Sequence, residues 1–270
     1  MPSEADTIDP STGPYSVASL TTDIRALGVT DGSVLIVHSS LSKIGWAAGG
    51  AQAVVMALLE AVGPDGTIVM PTQSGQLTDP LRWQAPPIPA EWIDEVRQTL
   101  PAYDPHLTPT RQMGQIVECF RSHPGSIRSS HPIVSFAANG PLAEAIVGDH
   151  PLTPSFGEAS PLAKLYEHDA LVLLIGVSHS NDTSLHLSEH RASWATKKTM
   201  TESVPVTVDG NRQYVTYEDL VADDEDFGVI GDAIERSGIE RVGTVGSANA
   251  RLAPQRAIVD FGAQWMSTNR

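Results

Sequence analysis

The stretch VLIVHSSLSKIGWAAGGAQAVVMALLEAVGPDGTIVMP, residues 34–71, decides the fold that the sequence predicts. It opens on residues 34–37, a short apolar run that is typical of a strand buried on both faces. Residues 51–62 carry apolar side chains at helical spacing, and Gly63-Pro64 ends that helix. A second apolar run follows over residues 67–70 and ends at Pro71. The order of strand, helix and strand predicts a parallel βαβ unit and hence an α/β fold.

The same alternation continues outside this unit. Apolar runs predict strands over residues 134–138 and 171–175. A dipeptide typical of tight hairpins, Asp209-Gly210, joins two further strand-like segments over residues 201–208 and 213–216. Helical spacing or a helix-starting Ser-Pro pair predicts helices over 16–27, 113–122, 141–147, from 160, 227–237 and 254–266. Because no linker divides these elements, we expect one α/β domain over residues 15–270 with an added antiparallel hairpin.

Two segments depart from the alternation. Residues 72–109 contain seven prolines, and a loop of this length in a compact domain is usually functional or mobile. We interpret it as an excursion over the active face, with a short helix over residues 90–100. The polar and acidic residues 1–14 predict a disordered leader.

Composition excludes several classes of protein. Hydrophobic residues make up 41% and charged residues 18%, which argues against disorder for most of the chain. A net charge of −15 leaves few basic residues for a nucleic-acid-binding face and favours cationic partners. No apolar run is long enough to span a membrane, and residues 1–14 lack the apolar centre of a signal peptide. We therefore expect a soluble, cytoplasmic protein that binds neither membrane nor nucleic acid, in which the single Cys119 is an apolar core residue.

The densest group of reactive residues follows the most apolar strand predicted, residues 171–175. Ligands of open α/β sheets bind beyond the carboxyl ends of the strands, and this segment opens there through Asn181, Asp182 and Thr183 into a helix. His186 lies in or just after the first turn of that helix, with Glu189 three residues on. A neutral imidazole there could take a proton from an amine, although a histidine at such a position is more often a capping or packing residue.

The same segment also fits a metal pattern. His186, Glu189 and His190 form H-x-x-E-H, in which two histidines bind Zn²⁺ and the glutamate is the base. The pattern is short, and the sequence does not identify the further carboxylate ligand that it needs. A zinc hydrolase is therefore an alternative hypothesis.

Two further segments have the composition of binding loops. Residues 37–50 combine hydroxyl groups, glycines and Lys43, and suit a loop whose backbone amides meet a phosphate or a polar chain. Six of the nine residues 218–226 are acidic, which is typical of a solvated face but would also suit a polycationic ligand. Asp79, in the proline-rich excursion, is a candidate addition to that acidic site.

Motifs spread over nearly the whole chain resemble the aminoglycoside 3-N-acetyltransferase family, also called the antibiotic N-acetyltransferase family. They include residues 37–42 (VHSSLS), 63–67 (GPDGT), 128–132 (RSSHP) with 135–138 (SFAA), 157–162 (GEASPL) and 181–189 (NDTSLHLSE). The resemblance implies a single-domain α/β sandwich with a central mixed sheet. It implies transfer of acetyl from acetyl-coenzyme A to the 3-amino group of a 2-deoxystreptamine aminoglycoside, conferring antibiotic resistance, with no metal.

The resemblance also implies roles for individual residues. His186 is the expected general base, Thr183 is expected near the thioester, and Asp219 is expected to steady the histidine or hold substrate. The expected coenzyme-binding residues are Ser39, Ser40, Ser42, Lys43, Arg128, Val134 and Ser135. The expected binding residues for the cationic aminoglycoside are Asp79, Glu189, Asp223 and Asp224.

Three questions stay open on the sequence alone. The acceptor could be an amine other than an antibiotic. Asp182 or Glu189 could replace Asp219 as the partner of His186. The sequence does not indicate an oligomeric state.

Overall fold

A computed structural model describes residues 4–270. Within this range the chain forms nine strands, listed here in chain order: β1 (Val34–Ser39), β2 (Thr67–Pro71), β3 (Ile127–Arg128), β4 (Phe136–Asn139), β5 (Leu171–Ile175), β6 (Thr199–Val208), β7 (Asn211–Leu220), β8 (Arg241–Val245) and β9 (Ala248–Pro254). Its α-helices are α1 (Val17–Leu27), α2 (Leu41–Ile44), α3 (Gly50–Val62), α4 (Ile93–Thr99), α5 (Gln115–Arg121), α6 (Ala143–Val147), α7 (Pro161–Glu167), α8 (Leu185–Arg191), α9 (Phe227–Ser237) and α10 (Gln255–Asn269).

Seven strands form a mixed sheet in the order β3-β4-β2-β1-β5-β9-β8. The three central strands β2, β1 and β5 are parallel, and the strands on both flanks are antiparallel to their neighbours. The predicted parallel βαβ unit is therefore present and forms the middle of the sheet. The carboxyl ends of β1, β2 and β5 meet at one edge, which is where the site lies.

The sheet separates two hydrophobic clusters, as expected for strands whose side chains alternate between faces. On one face Leu35, Ile68 and Leu173 pack with α1, α3 and α5. On the other face Ile36 and Val172 pack with helices α6 to α10. The molecule is thus a sandwich of helices, sheet and helices in a single domain.

Most elements lie where the apolar patterns predict them, with ends that differ by a few residues. Helix α1 begins after Ser16, whose side chain accepts the Ser19 N–H, and ends at Gly28. The hairpin turns at Asp209-Gly210 as predicted and forms a separate two-stranded sheet of β6 and β7. Strands β3, β8 and β9 have no counterpart among the predictions: β3 is two residues long, β8 is largely exposed, and the small and polar residues of β9 do not form an apolar run.

The proline-rich excursion crosses from β2 to α5 and packs against the hairpin. The Tyr103 N–H donates to the Pro205 carbonyl, and Arg212 donates to the carbonyls of Arg97 and Leu100. Its helix begins as a 3-10 turn over Ala90–Trp92 and continues as α4.

Part of the predicted leader lies outside the described residues, namely residues 1–3. In the remainder, Glu4–Thr7 form a 3-10 turn, and Trp46 donates its indole N–H to Glu4 at 3.3 Å. Disorder of residues 1–14 stays a prediction. Among residues 4–270, no helix has the length and apolarity needed to cross a membrane.

Candidate active site

A cavity of about 330 Å³ lies at the carboxyl ends of the three parallel strands. Strand β1 contributes Val37, His38 and Ser39 to it, and β2 contributes Pro71. The further residues that line it are Gln73, Gln112, Met113, Val117, Val177, Ser180, Asn181, Asp182, Thr183, His186, Asp224 and Phe227. The cavity therefore lies where α/β sheets bind their ligands, as the sequence predicts.

The segment between β5 and α8 brings His186 to this cavity. Gly176 ends β5 with a positive φ of 67°, and a Cβ there would lie 2.5 Å from the Lys43 side chain, so only glycine fits. The cap of α8 is Ser184, the residue after Thr183, and Asp182 accepts the Ser184 N–H at 3.0 Å. His186 is the second residue of the helix, within the first turn as expected.

Within the cavity wall, His186 is hydrogen-bonded to Glu189. The distance from His186 Nδ1 to Glu189 Oε2 is 2.5 Å, and the Glu189 side chain is 1% exposed. A carboxylate only accepts, so Nδ1 carries the proton and the neutral imidazole has its lone pair on Nε2. The pair therefore presents a basic nitrogen to the cavity, the arrangement of a general base and its orienting acid.

Other groups surround this pair on every side. Arg270 Nη1 lies 2.7 Å from Glu189 Oε1, and the same oxygen accepts the Asp223 N–H at 3.0 Å. The rings of Phe156 and Phe227 pack against the imidazole, with centroids 4.5 and 4.9 Å from it. The orientation of the imidazole is thus determined by hydrogen bonding and by packing.

A second buried histidine lies behind the cavity. His179 contacts Asp182 through Nδ1 at 3.0 Å and Glu240 through Nε2 at 2.9 Å. Burial disfavours its charged form, but the two carboxylates outweigh burial and raise the pKa of His179 to about 9. Burial alone would raise the pKa of Asp182, yet the His179 imidazolium holds it below its ordinary value. This ion pair holds Asp182 in the cavity wall next to Thr183.

Two buried polar atoms of β1 lack a hydrogen-bond partner. They are His38 Nε2, which lies 4.0 Å from Asp182 Oδ1, and Ser39 Oγ. Burial lowers the pKa of His38 to about 4, despite the nearby carboxylate of Asp182, so this imidazole is neutral at physiological pH. Because both residues line the cavity and unpaired buried polar atoms are costly, these atoms are available to a ligand.

The loop after β1 carries the other predicted coenzyme-binding residues. The Ser40 N–H donates to the Ile175 carbonyl of β5 at 2.9 Å, and the Ser40 and Ser42 hydroxyls lie 3.3 Å apart. Lys43 is exposed on α2. Ser40, Ser42 and Lys43 thus follow Ser39 directly in the chain, but only Ser39 of these four is among the cavity-lining residues, and coenzyme binding by the other three stays a prediction.

Arg128, Val134 and Ser135 lie apart from this loop, around β2 and the excursion. The Arg128 guanidinium donates to Thr72, Ser74, Ser135 and the Thr108 carbonyl, and lies over the Tyr103 ring. Ser135 is fully buried and donates to the Thr72 carbonyl, and Val134 is half-buried. These contacts tie the excursion to the sheet behind the cavity, and a direct contact with coenzyme stays a prediction for all three.

Asp219 does not contact His186. It lies within β7, one residue before its end, and accepts hydrogen bonds from Thr153, the Ser155 N–H and the Leu220 N–H. The sequence predicts a carboxylate at the end of the strand that contains Tyr214 and Tyr217. It does not predict the direction in which the Asp219 side chain points. Glu189, which the sequence kept open, occupies the position beside the imidazole.

The predicted acceptor carboxylates are in three different situations. Asp224 lines the cavity, Asp223 is exposed and donates its N–H to Glu189, and Glu189 is itself buried and accepts from His186 and Arg270. Asp79 is away from the cavity lining, where it accepts from Arg97 and from the Tyr214 hydroxyl. Only Asp224 of these four thus lies at the cavity.

The H-x-x-E-H stretch is not arranged as a metal site in this structure. Both carboxylate oxygens of Glu189 accept from protein donors, and one of these donors is His186 itself. The His190 ring lies beside Gly157 and is not part of the cavity lining. Across residues 4–270, no group of three histidine, cysteine, aspartate or glutamate side chains could hold a metal ion.

Comparison with known proteins bears directly on this arrangement. Residues 36–267 match the family model described as aminoglycoside 3-N-acetyltransferase. The chain belongs to the aminoglycoside 3-N-acetyltransferase family. This family is one of acyltransferases, and the matched residues include most of the sheet, the cavity lining and α8.

Relatives within the family match over almost their whole length. The chain is 44% identical to the SPbeta prophage-derived aminoglycoside N(3')-acetyltransferase-like protein YokD of Bacillus subtilis, over 97% of this chain and 96% of that one. The crystal structure of YokD superimposes with a TM-score of 0.95 and covers 98% of both chains. The aminoglycoside N(3)-acetyltransferase VII of Streptomyces paromomycinus is 36% identical, over 95% of this chain and 93% of that one.

Two solved structures of the family are complexes with ligands. One is AAC-IIIb binary with CoASH, with a TM-score of 0.82 and 32% identity, covering 94% of this chain and 97% of that one. The other is sisomicin-bound AAC-VIa, with a TM-score of 0.86 and 32% identity, covering 95% and 99%. The resemblance stated from the motifs is therefore confirmed at the level of family and fold.

Several residues of the site were missed by the sequence argument. Phe156, Phe227 and Arg270 approach His186 or Glu189 from three distant parts of the chain, and no local motif marks them. Glu240 is likewise 61 positions from the His179 that it contacts. His38 lies within the motif of residues 37–42. Its position at the end of a predicted buried strand is the sequence signal that could have placed it at the site.

Proposed function

We propose that this protein transfers an acetyl group from acetyl-coenzyme A to the 3-amino group of a 2-deoxystreptamine aminoglycoside, and thereby confers antibiotic resistance. The observation that carries the proposal is the His186–Glu189 pair, which presents Nε2 to a cavity at the carboxyl ends of β1, β2 and β5. The sisomicin-bound and CoASH-bound family structures support this choice of substrates.

His186 acts as the general base in this mechanism. An aminoglycoside amine is protonated near neutral pH, so it first releases one proton to solvent and attacks as the neutral amine, whose second proton must be accepted as the C–N bond forms. Nε2 takes a proton from the attacking amine, and Glu189 stabilises the imidazolium that forms through its hydrogen bond to Nδ1. The new C–N bond forms at the thioester carbonyl, the C–S bond breaks, and the proton passes from Nε2 to the departing thiolate.

The groups beside His186 suit the thioester. Thr183 lines the same cavity as His186, and we assign its hydroxyl to stabilising the oxyanion that develops during attack. Ser39 Oγ is buried and without a partner, which fits a hydrogen bond to the coenzyme. Ser40, Ser42 and Lys43 extend the same polar surface outward, and Lys43 supplies a charge for the coenzyme's phosphates.

Asp224 is the acceptor-binding carboxylate that lines the cavity, Asp223 is its neighbour in the chain, and both are exposed. Opposite charge and several hydrogen-bond acceptors suit an oligocationic sugar. Asp79 and Glu189 both accept from arginines, which favours a supporting role for them. The net charge of −15 attracts a polycation from a distance.

A covalent enzyme intermediate has no place in the proposal. Burial raises the pKa of the Cys119 thiol, and Cys119 is not among the cavity-lining residues. Direct attack by the amine therefore needs only the base, the oxyanion donor and the two binding surfaces.

Thiol release from acetyl-coenzyme A tests the proposal, measured with a panel of 2-deoxystreptamine aminoglycosides and simple polyamines. We expect release with the aminoglycosides, acetylation of the 3-amino group by NMR of the product, and raised resistance in a susceptible host that expresses the protein. Release with polyamines alone would point to a non-antibiotic acceptor. Release that a chelator abolishes would favour the zinc hypothesis.

A further inference from the structure

Arg270 connects the general-base pair to the acidic segment, residues 223–226. Its guanidinium is 9% exposed and donates to Glu189 Oε1 at 2.7 Å. The same guanidinium donates to both Asp226 oxygens, at 2.8 and 2.5 Å, and to the Asp223 carbonyl at 2.7 Å. It also lies over the Trp194 ring, 5.1 Å from its centroid. One side chain therefore contacts the helix of the base, the acidic segment and the loop after α8.

Through these contacts the acidic segment packs against the His186–Glu189 pair. The Asp223 N–H reaches the same Glu189 oxygen that Arg270 contacts, at 3.0 Å. Asp226 is neutralised by the guanidinium, while Asp224, between the two anchored residues, lines the cavity near His186. A forked guanidinium is suited to hold two carboxylates and a carbonyl at once, which a single ammonium group cannot do with the same geometry.

We infer that Arg270 is a positioning residue that sets the basicity of His186 through Glu189 and holds Asp224 at the acceptor subsite. This inference rests on the proposed function, because it concerns the acetyl-transfer base and its cationic acceptor. A cation beside Glu189 offsets part of the negative charge that stabilises the His186 imidazolium. Arg270 thus balances part of the charge of Glu189, so its removal strengthens the negative potential of that carboxylate at His186.

Other charged or titratable groups also face the His186–Glu189 pair and contribute to the electrostatic potential there. They are Lys197, which donates to the Glu189 carbonyl, His190 on α8, Asp223, Asp224 and Asp226 on the acidic segment, and His38 and Asp182 across the cavity. Arg270 is the cation of this set that directly contacts the Glu189 carboxylate in the described structure. Removal of Arg270 should therefore change the electrostatic potential at Glu189 and His186 more than removal of any other group in this set.

The test compares Arg270→Gln with Arg270→Lys and with Arg256→Gln on the same helix. Arg256 pairs with Asp169 and donates to the carbonyls of α7, remote from the cavity. For Arg270→Gln we expect the pH midpoint of kcat/KM to rise by about one unit, and the acceptor KM to rise several-fold. Arg270→Lys should restore the midpoint but only part of the KM, and Arg256→Gln should change neither.

A histidine NMR titration without substrates separates this inference from the proposed function. The His186 signal is identified by its loss in His186→Gln, and we expect it to titrate about one unit higher in Arg270→Gln. This shift needs no acetyl transfer, so an inactive protein that shows it would overturn the proposed function alone. An unchanged His186 titration in a folded Arg270→Gln, with only a lower melting temperature, would overturn the role assigned to Arg270.

Discussion

The imidazole of His186 is stacked on the phenyl ring of Phe156, with centroids 4.5 Å apart and planes 11° from parallel. Phe156 comes from the segment before α7 and is 4% exposed. Together with the hydrogen bond to Glu189, this stacking leaves the imidazole one orientation, in which Nε2 is the nitrogen available to a substrate.

Phe156→Leu should therefore lower kcat by about 10-fold, because a small rotation of the imidazole moves Nε2 away from the attacking amine. The matched control is Phe120→Leu, which removes the same atoms from the cluster on the other face of the sheet. Both variants should be destabilised, so their melting temperatures are measured alongside steady-state kinetics. An equal loss of turnover in both would mean that general loosening, not ring orientation, is responsible.

The two histidines of the H-x-x-E-H stretch should respond differently to substitution. His186→Ala should lower kcat by about 10²–10⁴-fold, the usual contribution of general-base catalysis, with coenzyme affinity largely kept. His190→Ala should have a small effect, since His190 lies outside the cavity lining. Kinetics and calorimetry with coenzyme A measure both quantities. Total loss of activity in His190→Ala would revive the metal hypothesis.

The orienting carboxylate is predicted to be Glu189. Glu189→Gln should lower kcat by roughly 10²-fold or more, because the imidazolium formed during proton transfer loses its counter-charge. Asp219→Asn should change kcat little, since Asp219 contacts Thr153 and Ser155. Steady-state kinetics of the two single variants decide between them, and the opposite ranking would restore Asp219 as the partner of His186.

Electrostatic attraction of the acceptor should depend on salt. The Debye length falls from about 10 Å at 0.1 M to about 3 Å at 1 M, so the aminoglycoside KM should rise with ionic strength more steeply than that of acetyl-coenzyme A. Asp224→Asn should raise the aminoglycoside KM at low salt and flatten this dependence. Equal salt responses of the two substrates would argue against a carboxylate-lined acceptor site.

Stability should fall between neutral and alkaline pH because of His179. Its pKa of about 9 in the folded protein exceeds the ordinary value of 6.5, so the folded state binds the extra proton in this range. The stabilisation is complete below about pH 6.5 and is lost as the pH rises through about 9. Urea unfolding across this range should show a smaller decline in His179→Gln than in the wild-type protein. The exposed His168→Gln serves as a control, and parallel declines in all three proteins would contradict the assignment.

Much of the fold could be predicted from local patterns. Residues 34–37, 67–70 and 171–175 are apolar runs of strand length. Because these strands are buried on both faces, nearly every residue in them is apolar, and the sequence alone reveals them. The edge strand β8 carries no such signal because most of its residues are exposed, and β9 carries none because Asn249 and Arg251 interrupt its apolar residues.

The sequence by itself determined the α/β class and the family and predicted His186 as the base, since each inference depends on spacing and motifs within short segments. Only the tertiary structure decided which groups meet His186. Glu189 is the carboxylate that accepts from His186 Nδ1, because it lies one helical turn further along α8. Asp219 lies within β7 and contacts Thr153 instead. Phe156 and Arg270 reach the same pair from positions 30 and 84 residues away along the chain. Such contacts arise from the packing of helices on a sheet, so they cannot be predicted from the local sequence around His186.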